Sequence, residues 1–429
     1  MESVTSVTLR NFRGFARLEN LPLAPLTFLV GPNSSGKSSI ADAILFMAQS
    51  GFLSLGATTP LWIGPLVDLG SFRDTVFRHE TKRAIEIRVG MDTAGLPEDP
   101  YQVEVATCIN TTKDVPEGRM KQLSVRSLQP QHSVTLTRGP GRSEKFVATS
   151  SLNKHRASYD PQMTWSKVPH ILSSLLDKSR KAGAVDLDVA ILVTIREIAL
   201  GVQRVSSGRN PPQRSYSRDT GSTAGERARR LIDGIDASGL EARPARGRKD
   251  LRAHLVDGLE TLGIADHLEA TRIGDYHTEV RLRDNITKIA SNLSEFGYGT
   301  SQVLPVLEGC ALPGPGPLFI EQPEIHLHPR AQGQLAQILC DTSKRRQMIV
   351  ETHSEHMINR ARRLIAEGKL AAENVIIHYI DRNTDGSHAQ TIGLDKLGDF
   401  TADWPDGFYD ERYHETMKIA EAQARKGRR

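Results

Sequence analysis

The sequence predicts an α/β fold: a mostly parallel sheet flanked by helices, an antiparallel β subdomain, and a mainly helical insertion. Three observations predict it. Short, largely apolar runs at Leu26 to Val30, Pro317 to Ile320 and Gln347 to Val350 have the character of strands buried on both faces, as in a parallel sheet. Each run ends in glycine or polar residues suited to binding chemistry, and ligands of open α/β sheets gather at the carboxyl ends of strands. Between Arg83 and Thr149, by contrast, strand-like segments follow one another, separated by Gly, Pro and Asp clusters, which is the pattern of an antiparallel unit.

Taken in order, Ser3 to Leu9 is rich in Val and Thr and alternates as a strand. Leu26 to Val30 then runs into GPNSSGKS, Gly31 to Ser38, which satisfies G-x-x-x-x-G-K-[ST] at every required position. Glycines there let successive backbone N–H groups curl around a β-phosphate, the following helix N-terminus adds partial positive charge, and Lys37 bridges the β- and γ-oxygens. Ser38 is then the Mg²⁺ ligand, and Asn33, Ser34, Ser35, Gly36, Lys37, Ser38 and Ser39 are the candidate ATP-binding residues. Beyond the loop, Ile40, Ala43, Ile44 and Met47 recur at i, i+3, i+4 and i+7, the face of a helix packed on a sheet. Strand, loop and helix are all readable, so the chain is expected to bind a nucleoside triphosphate.

The antiparallel segments are Ala84 to Val89, Tyr101 to Ile109, Gln122 to Leu128 and Ser133 to Thr137. From Trp165 to about Val202 the pattern becomes helical, with Val168, Ile171, Leu172 and Leu175 spaced for one helix and Val189 to Leu200 for another. These pieces are too short for a long coiled coil. Ser206 to Thr223 and Ala237 to Lys249, rich in Gly, Pro, Ser and Arg, read as connectors around a helical piece at Ala228 to Ile235. Leu251 to Leu262 reads as a helix and His277 to Leu282 as a strand.

Pro317 to Ile320 ends in Glu321-Gln322-Pro323-Glu324, and an acid at the end of a buried strand is what Mg²⁺ on a triphosphate needs; Glu321 is the candidate. Gln347 to Val350 runs into Glu351-Thr352-His353-Ser354, which puts His353 on the same sheet edge as the loop. Upstream, Phe296-Gly297-Tyr298-Gly299-Thr300-Ser301-Gln302 offers two glycines and a serine at a helix start, a second anion-binding terminus. Pro305 is tolerated only near a helix start, which places that start at about Thr300 or Ser301.

Composition bounds the rest. Over 429 residues, 55 Lys and Arg against 51 Asp and Glu leave a net charge of only +4, which is no nucleic-acid signature for the whole chain. Cys108, Cys310 and Cys340 are odd in number and far apart, which fits reduced thiols and argues against structural zinc. With no charged n-region before an apolar stretch and no run of 18 apolar residues, the expectation is a soluble, cytoplasmic protein without membrane contact.

Read together, LRNFRGF (Leu9 to Phe15), GPNSSGKSS, GYGTSQ, LFIEQPEIHLHP (Leu318 to Pro329) and IVETHSEH (Ile349 to His356) resemble the ABC-type ATPase heads of the SMC, RecF and overcoming-lysogenization-defect superfamily. The match is closest to prokaryotic ATPases with the IEQPE-x-HLHP variant, many of them defence-associated, and Trp404 to Tyr409 is similar to their tail. It covers about residues 1 to 80 and 290 to 380. The resemblance implies an ABC-type head with its N-terminal half over 1–150, an insertion over 151–270, its C-terminal half over 271–395, and a tail over 396–429. It implies that Gly31 to Ser38 are the Walker A loop, that Glu321 closes Walker B on the metal side, and that His353 is the γ-phosphate-sensing switch histidine. Gly299, Ser301 and Gln302 would belong to the signature that caps the γ-phosphate of a second subunit, and His326 to Pro329 to a dimer-interface loop. Arg13 resembles a basic residue near the nucleotide, with a solvated strand-end arginine as the alternative; the glutamine loop is expected near Asp68 to Asp74.

One position departs from the family. The residue after the metal-side acid is usually a glutamate that activates water, and here it is Gln322. An amide positions water but cannot accept its proton, so either Glu324 supplies the carboxylate or hydrolysis is slow and the ATP-bound form persists. Glu321, Gln322, Glu324 and His353 are thus the candidate catalytic residues, with ATP and Mg²⁺ as cofactors.

Walker A and signature in one chain imply an ATP-dependent homodimer or higher homo-oligomer. The first reading is a slow ATPase switch in a prokaryotic anti-phage module, controlling a separate effector nuclease. The alternative is a RecF- or SMC-like DNA-binding ATPase of repair, supported by Arg209, Arg214 and Arg218 in one connector, Arg243 to Lys249 in another, and the terminal Arg425 to Arg429. A self-contained nuclease is disfavoured, because about 75 residues follow His353; Asp381, Asp385 and Asp395 read as turn formers.

Overall fold

The computed structural model describes residues 3–52, 59–93, 101–112, 115–127, 132–138, 146–150, 156–159, 195, 197–209, 211–217, 251–274, 277–312, 314–405 and 411–426. The chain enters through strands β1 (Ser3–Phe12), β2 (Phe15–Pro22) and β3 (Leu26–Val30), followed by helix α1 (Lys37–Gln49) and the single turn α2 (Phe72–Thr75). Strands β4 (Ile85–Thr93), β5 (Tyr101–Thr112), β6 (Val115–Ser127), β7 (His132–Arg138), β8 (Phe146–Ser150) and β9 (Arg156–Tyr159) come next. With β1 and β2 they make one antiparallel sheet in the order β2-β1-β4-β5-β6-β7-β8-β9. All four antiparallel segments expected between residues 84 and 137 are present.

Of the helices expected between residues 165 and 235, only 195 and 197–201 fall among the described residues, and they are helical. The helices at Val168 to Leu175 and Ala228 to Ile235 lie outside the described residues. After strands β10 (Gln203–Val205) and β11 (Tyr216–Ser217) come helix α3 (Leu251–Thr261) and strands β12 (Ala265–Ile273), β13 (His277–Asp284) and β14 (Ala290–Asn292). β11, β13, β12 and β14 form a small antiparallel sheet.

The C-terminal half then alternates: α4 (Tyr298–Ala311), β15 (Leu318–Glu321), α5 (Pro329–Ser343), β16 (Met348–Glu351), α6 (Glu355–Ala366), the hairpin β17 (Val375–Asn383) and β18 (Gly386–Ile392), and α7 (Glu411–Lys426). Strands from both ends of the chain build one sheet, ordered β10-β15-β16-β3-β17-β18, parallel except for the last strand. Buried Arg346 anchors the β10 edge through Gln203, Gly201 and Gly316, and the Gln347 side chain ties β1 in through Val4.

Alternation along β3 divides the core in two. Leu26, Phe28 and Val30 face a cluster shared with α4, α5 and α6, and Leu29 faces one shared with α1 and the eight-stranded sheet. Helix α1 therefore lies between two sheets. The sequence offers one apolar face on α1, but Ala41, Asp42, Leu45 and Phe46 are buried as well, because the second sheet covers the side that periodicity leaves to solvent. Phe46 stacks on Trp62 at 4.8 Å between ring centroids.

Helix α4 also departs from expectation. It begins at Tyr298 rather than Thr300 or Ser301, with Gly297 as its cap, so Pro305 stands inside the helix. The Thr300 N–H already bonds the Gly297 carbonyl at 2.9 Å, which extends the first turn backwards through residues with little side chain to obstruct it.

Candidate nucleotide-binding site

The loop Gly31 to Ser38 leaves the carboxyl end of β3 and enters α1 through Gly36 at φ 107°. Gly31 stands at φ 136°, and a Cβ there would lie 2.0 Å from the backbone carbonyl oxygen of Ile380 on β17, so only glycine fits. A cavity of about 260 Å³ opens above the loop, lined by Asn33, Ser34, Gly36, Lys37, Ser38 and Ser39. Arg13 and Gly14 from the β1–β2 turn, Glu351 from β16, and Arg382 and Ser387 from the β17–β18 hairpin complete its walls.

The loop is spanned by its own lysine. Lys37 Nζ donates to the carbonyls of Gly31 at 3.1 Å and Pro32 at 2.7 Å. Burial pulls its pKa below the ordinary lysine value, against the pull of Glu351. The Ser35 and Ser387 hydroxyls are buried without a hydrogen-bond partner, polar groups of the kind a triphosphate satisfies. The oxygen donors at the loop, the Ser38 hydroxyl and the Glu351 carboxylate, suit a hard divalent cation such as Mg²⁺.

Ser38 Oγ donates to Glu351 Oε2 at 2.7 Å. Burial holds the Glu351 carboxyl above the usual range, opposed by the Ser38 hydrogen bond and Lys37, while Glu321 and Asp42 push the same way as burial. Asp42 on α1 is almost fully buried, pairs with Arg13 and lies 3.4 Å from Arg204; burial raises its pKa to about 6 despite both cations. Arg13 is therefore both a wall of the cavity and the partner of Asp42, which decides against a solvated strand-end role.

Glu321, at the end of β15, has both carboxylate oxygens engaged. Oε1 accepts from Arg204 Nε at 2.9 Å and from Arg204 Nη2; Oε2 accepts from the Ser207 N–H at 3.0 Å and its hydroxyl at 3.3 Å. Gln322 follows at φ 43° and donates its N–H to the Glu351 carbonyl at 2.7 Å. Glu324 is buried, and its Oε1 accepts the His353 N–H at 2.8 Å. Burial raises the Glu324 carboxyl and lowers the half-buried His353 imidazole, which Lys37 lowers further.

Gly299, Ser301 and Gln302 lie at the start of α4, against the turn after β15 rather than against the P-loop. A Cβ on Gly299 would come within 2.4 Å of the His326 carbonyl oxygen, and the exposed rings of Tyr298 and His326 meet edge to face at 4.8 Å. Ser301 Oγ donates to the Tyr298 carbonyl at 2.8 Å, and Gln302 Nε2 reaches Ser301 Oγ at 3.4 Å.

Arg209 joins these parts. Its guanidinium donates to the carbonyls of Gln302 at 3.1 Å, Glu321 at 2.5 Å and Gln322 at 3.3 Å. The sequence offers Arg209 as a DNA-facing cation; it is instead buried and engaged inside the protein. Its neighbour Arg214 is exposed and pairs with Glu295, while Arg218 and Arg243 to Lys249 lie outside the described residues. The carboxylates of Asp381 and Asp395 accept nearby backbone N–H groups, as turn formers do.

Strand-end position alone could have singled out Glu351, by the same reasoning that selects Glu321. Asp42, Arg204, Arg382 and Ser387 carry no motif signal and are brought in by strand order.

The profile of the family described as "AAA domain, putative AbiEii toxin, Type IV TA system" matches residues 26–359, from the P-loop strand β3 past His353 into α6. The chain belongs to this family. It is an ATPase of the SMC and overcoming-lysogenization-defect type, with an ABC-type head. Residues 370–419 of this ATPase match a second profile, described as a protein of unknown function (DUF3696). An OLD nuclease of Thermus scotoductus is 25% identical over 395 residues, covering 90% of this chain; the ATPase spans 65% of that relative's length. Among solved structures, an Smc head bound to the C-terminal winged-helix domain of ScpA aligns at 15% identity over 92% of this chain and 99% of its own, with a TM-score of 0.49. The SMC head domain of Thermotoga maritima aligns at 14% identity over 92% and 99%, with a TM-score of 0.40. Among the described residues no helix is long and apolar enough to cross a membrane.

Proposed function

We propose that this ATPase is a nucleotide-driven switch in which two copies close on two Mg²⁺-ATP, each signature turn completing the other chain's P-loop pocket. The closed pair controls a separate effector, a nuclease, in a cytoplasmic prokaryotic defence module. One observation carries the dimer: the residues lining the P-loop cavity include none from the signature turn, which sits on the far side of the β15 turn against His326. A γ-phosphate bound in one chain therefore needs its second cap from elsewhere.

The signature helix has the features of such a cap. Its N-terminus at Gly297 is exposed and carries the positive end of the helix dipole, and the exposed Tyr298–His326 ring pair beside it is the kind of aromatic surface that interfaces favour. A ligand that binds only the closed pair shifts assembly by its differential affinity, so ATP acts as the adhesive. Gln322 in place of a glutamate prolongs that state, because water is oriented without a carboxylate to take its proton. The defence role draws on the family description, which names a toxin of a toxin–antitoxin system, and on the likeness to a nuclease.

Light scattering on a sizing column, with and without a nonhydrolysable ATP analogue, tests the arrangement. Gly297→Glu is the better probe, since a Cβ at Gly297 meets nothing within 4 Å and the added charge would face the incoming triphosphate. Ser301→Arg would instead force a long side chain into a site that is 8% exposed. The native protein is expected to dimerise with the analogue, and Gly297→Glu to bind nucleotide but stay monomeric. A native protein that stays monomeric, or a variant that dimerises as well as the native chain, overturns the proposal.

A further inference from the structure

Arg204 on β10 stands between two acids, and its guanidinium is divided between them. Nε and Nη2 face Glu321 Oε1, the first at 2.9 Å, while Nη1 donates to the Leu66 carbonyl at 3.1 Å and lies 3.4 Å from Asp42 Oδ1. Asp42 Oδ1 is a buried oxygen without a hydrogen-bond partner, and Oδ2 of the same carboxylate pairs with Arg13 in the wall of the P-loop cavity. We infer that Arg204 is a resident counter-ion shared by the two carboxylates: it competes with the metal ion for Glu321, and Asp42 retains it when a cation takes that carboxylate. This rests on the reading of Glu321 as the metal-side acid of an Mg²⁺-ATP site, but not on the dimer.

The charges and the contacts both allow such an exchange. Arg13, Asp42, Arg204 and Glu321 follow one another as two cations and two carboxylates in alternation. The side chains of Asp42, Glu321 and Arg204 are only 3%, 13% and 20% exposed, so charge left unmatched among them is costly. A divalent cation beside Glu321 would repel the guanidinium. The unfilled acceptor is on the other side, at Asp42 Oδ1, where a small rotation turns the ion pair into a hydrogen bond. The Leu66 carbonyl holds the same Nη1, so Arg204 can turn without leaving its place. Glu321 need not move either. Its Oε2 keeps the Ser207 N–H at 3.0 Å and the Ser207 hydroxyl at 3.3 Å, and only Oε1 changes partner.

The two neighbours of the exchange therefore act with opposite sign. Removing the Arg204 charge takes away the competitor and tightens metal binding, whereas removing the Asp42 charge takes away the receiver and weakens it. A side chain that merely props the fold would weaken binding in both cases.

Arg204→Gln, Asp42→Asn and the double variant test the inference. Mn²⁺ bound to the complex with a nonhydrolysable ATP analogue is counted by electron paramagnetic resonance at dilute, monomeric concentrations, and metal-free analogue binding and melting temperature check that each variant is folded. Glu321→Gln tests the underlying reading on its own: native Mn²⁺ affinity in that variant would remove Glu321 as the metal-side acid, and this inference with it. Arg204→Gln is expected to raise Mn²⁺ affinity about fivefold or more and Asp42→Asn to lower it by a similar factor. In the Arg204→Gln background Asp42→Asn should have no further effect, because there is no guanidinium left to receive. Arg204→Lys keeps the charge and should keep native affinity while melting lower, and Arg204→Met replaces Arg204→Gln if glutamine prevents folding. Native or weaker Mn²⁺ binding in the uncharged Arg204 variant, or an Asp42→Asn effect of equal size with and without Arg204, overturns the inference.

Discussion

The guanidinium of Arg209 donates to the Gln302 carbonyl at 3.1 Å while its other nitrogen holds the carbonyls of Glu321 and Gln322. One side chain therefore fixes the start of α4 to the end of β15. Lysine has a single nitrogen and cannot serve carbonyls on two elements in that fork. Arg209→Lys is expected to cost about 1–3 kcal/mol in denaturant unfolding, the price of a buried acceptor left unmet. It should also weaken ATP-induced dimerisation more than nucleotide binding by the monomer. Equal loss of both, compared by sizing and by nucleotide titration, would show Arg209 to be a general structural prop and not a coupling element.

Closure of the β17–β18 hairpin onto the P-loop rests on two glycines, Gly14 and Gly36, at both of which a Cβ would meet Ser387 Oγ. A Cβ at Gly14 would lie 2.3 Å from Ser387 Oγ, yet 3.4 Å from Ser387 Cβ, an ordinary contact. Gly14→Ala alone is therefore expected to destabilise by about 1–3 kcal/mol through overpacking. Ser387→Ala removes the clashing atom, which is also a buried hydroxyl without a partner, and should recover most of the loss in the double variant. Melting of the two single variants and the double variant checks this; simple additivity would place the strain elsewhere.

His378 supplies a pH dependence. Its Nε2–H donates to the Pro22 carbonyl at 2.7 Å and its Nδ1 accepts from the Thr391 hydroxyl at 3.0 Å, so the ring is held neutral. Burial lowers its pKa to about 4, opposed by the Pro22 hydrogen bond. Below the ordinary pKa of about 6.5 the unfolded chain takes up a proton that the folded chain refuses, so stability present above pH 6.5 is lost as pH falls toward 4. Between pH 7 and pH 5 this group alone should remove about 2 kcal/mol. His378→Phe is expected to be less stable at pH 7 but to lose correspondingly less on acidification. An unchanged pH slope in urea unfolding would assign the acid sensitivity to other groups.

What the sequence makes legible is what is contiguous in it. Gly31 to Ser38 carries its whole chemistry in eight consecutive residues, and the strand and helix on either side are readable from periodicity. The short apolar strands β15 and β16 are legible for the same reason, as are the antiparallel strands up to Arg138. Strand order is not contiguous. Nothing near Glu351 in the chain says that β16 inserts between β3 and β15, and nothing near Arg382 or Ser387 says that their hairpin folds over Gly14 and Gly36. Arg209 is misread because composition describes its connector as solvated, whereas three carbonyls brought from distant segments bury it. Asp42 looks like the polar side of an amphipathic helix until a second sheet covers it.

Hydrolysis rate is the property on which the switch reading turns. Gln322 is held at φ 43°, a conformation costly for a residue with a side chain, and its backbone N–H is bonded to the Glu351 carbonyl, so its backbone is placed with little freedom. Gln322→Glu restores a proton acceptor at that fixed position and is expected to raise turnover by about 10²- to 10⁴-fold. Glu324 has a different task. It is buried, burial keeps its carboxyl above the usual range, and its Oε1 holds the His353 N–H at 2.8 Å, a bond that an amide oxygen can also accept. Glu324→Gln should therefore leave turnover essentially unchanged. Phosphate release under single-turnover conditions separates the two residues: a fast native enzyme indifferent to Gln322→Glu, or one silenced by Glu324→Gln, would make Glu324 the working base and remove the physical reason for a long-lived ATP state.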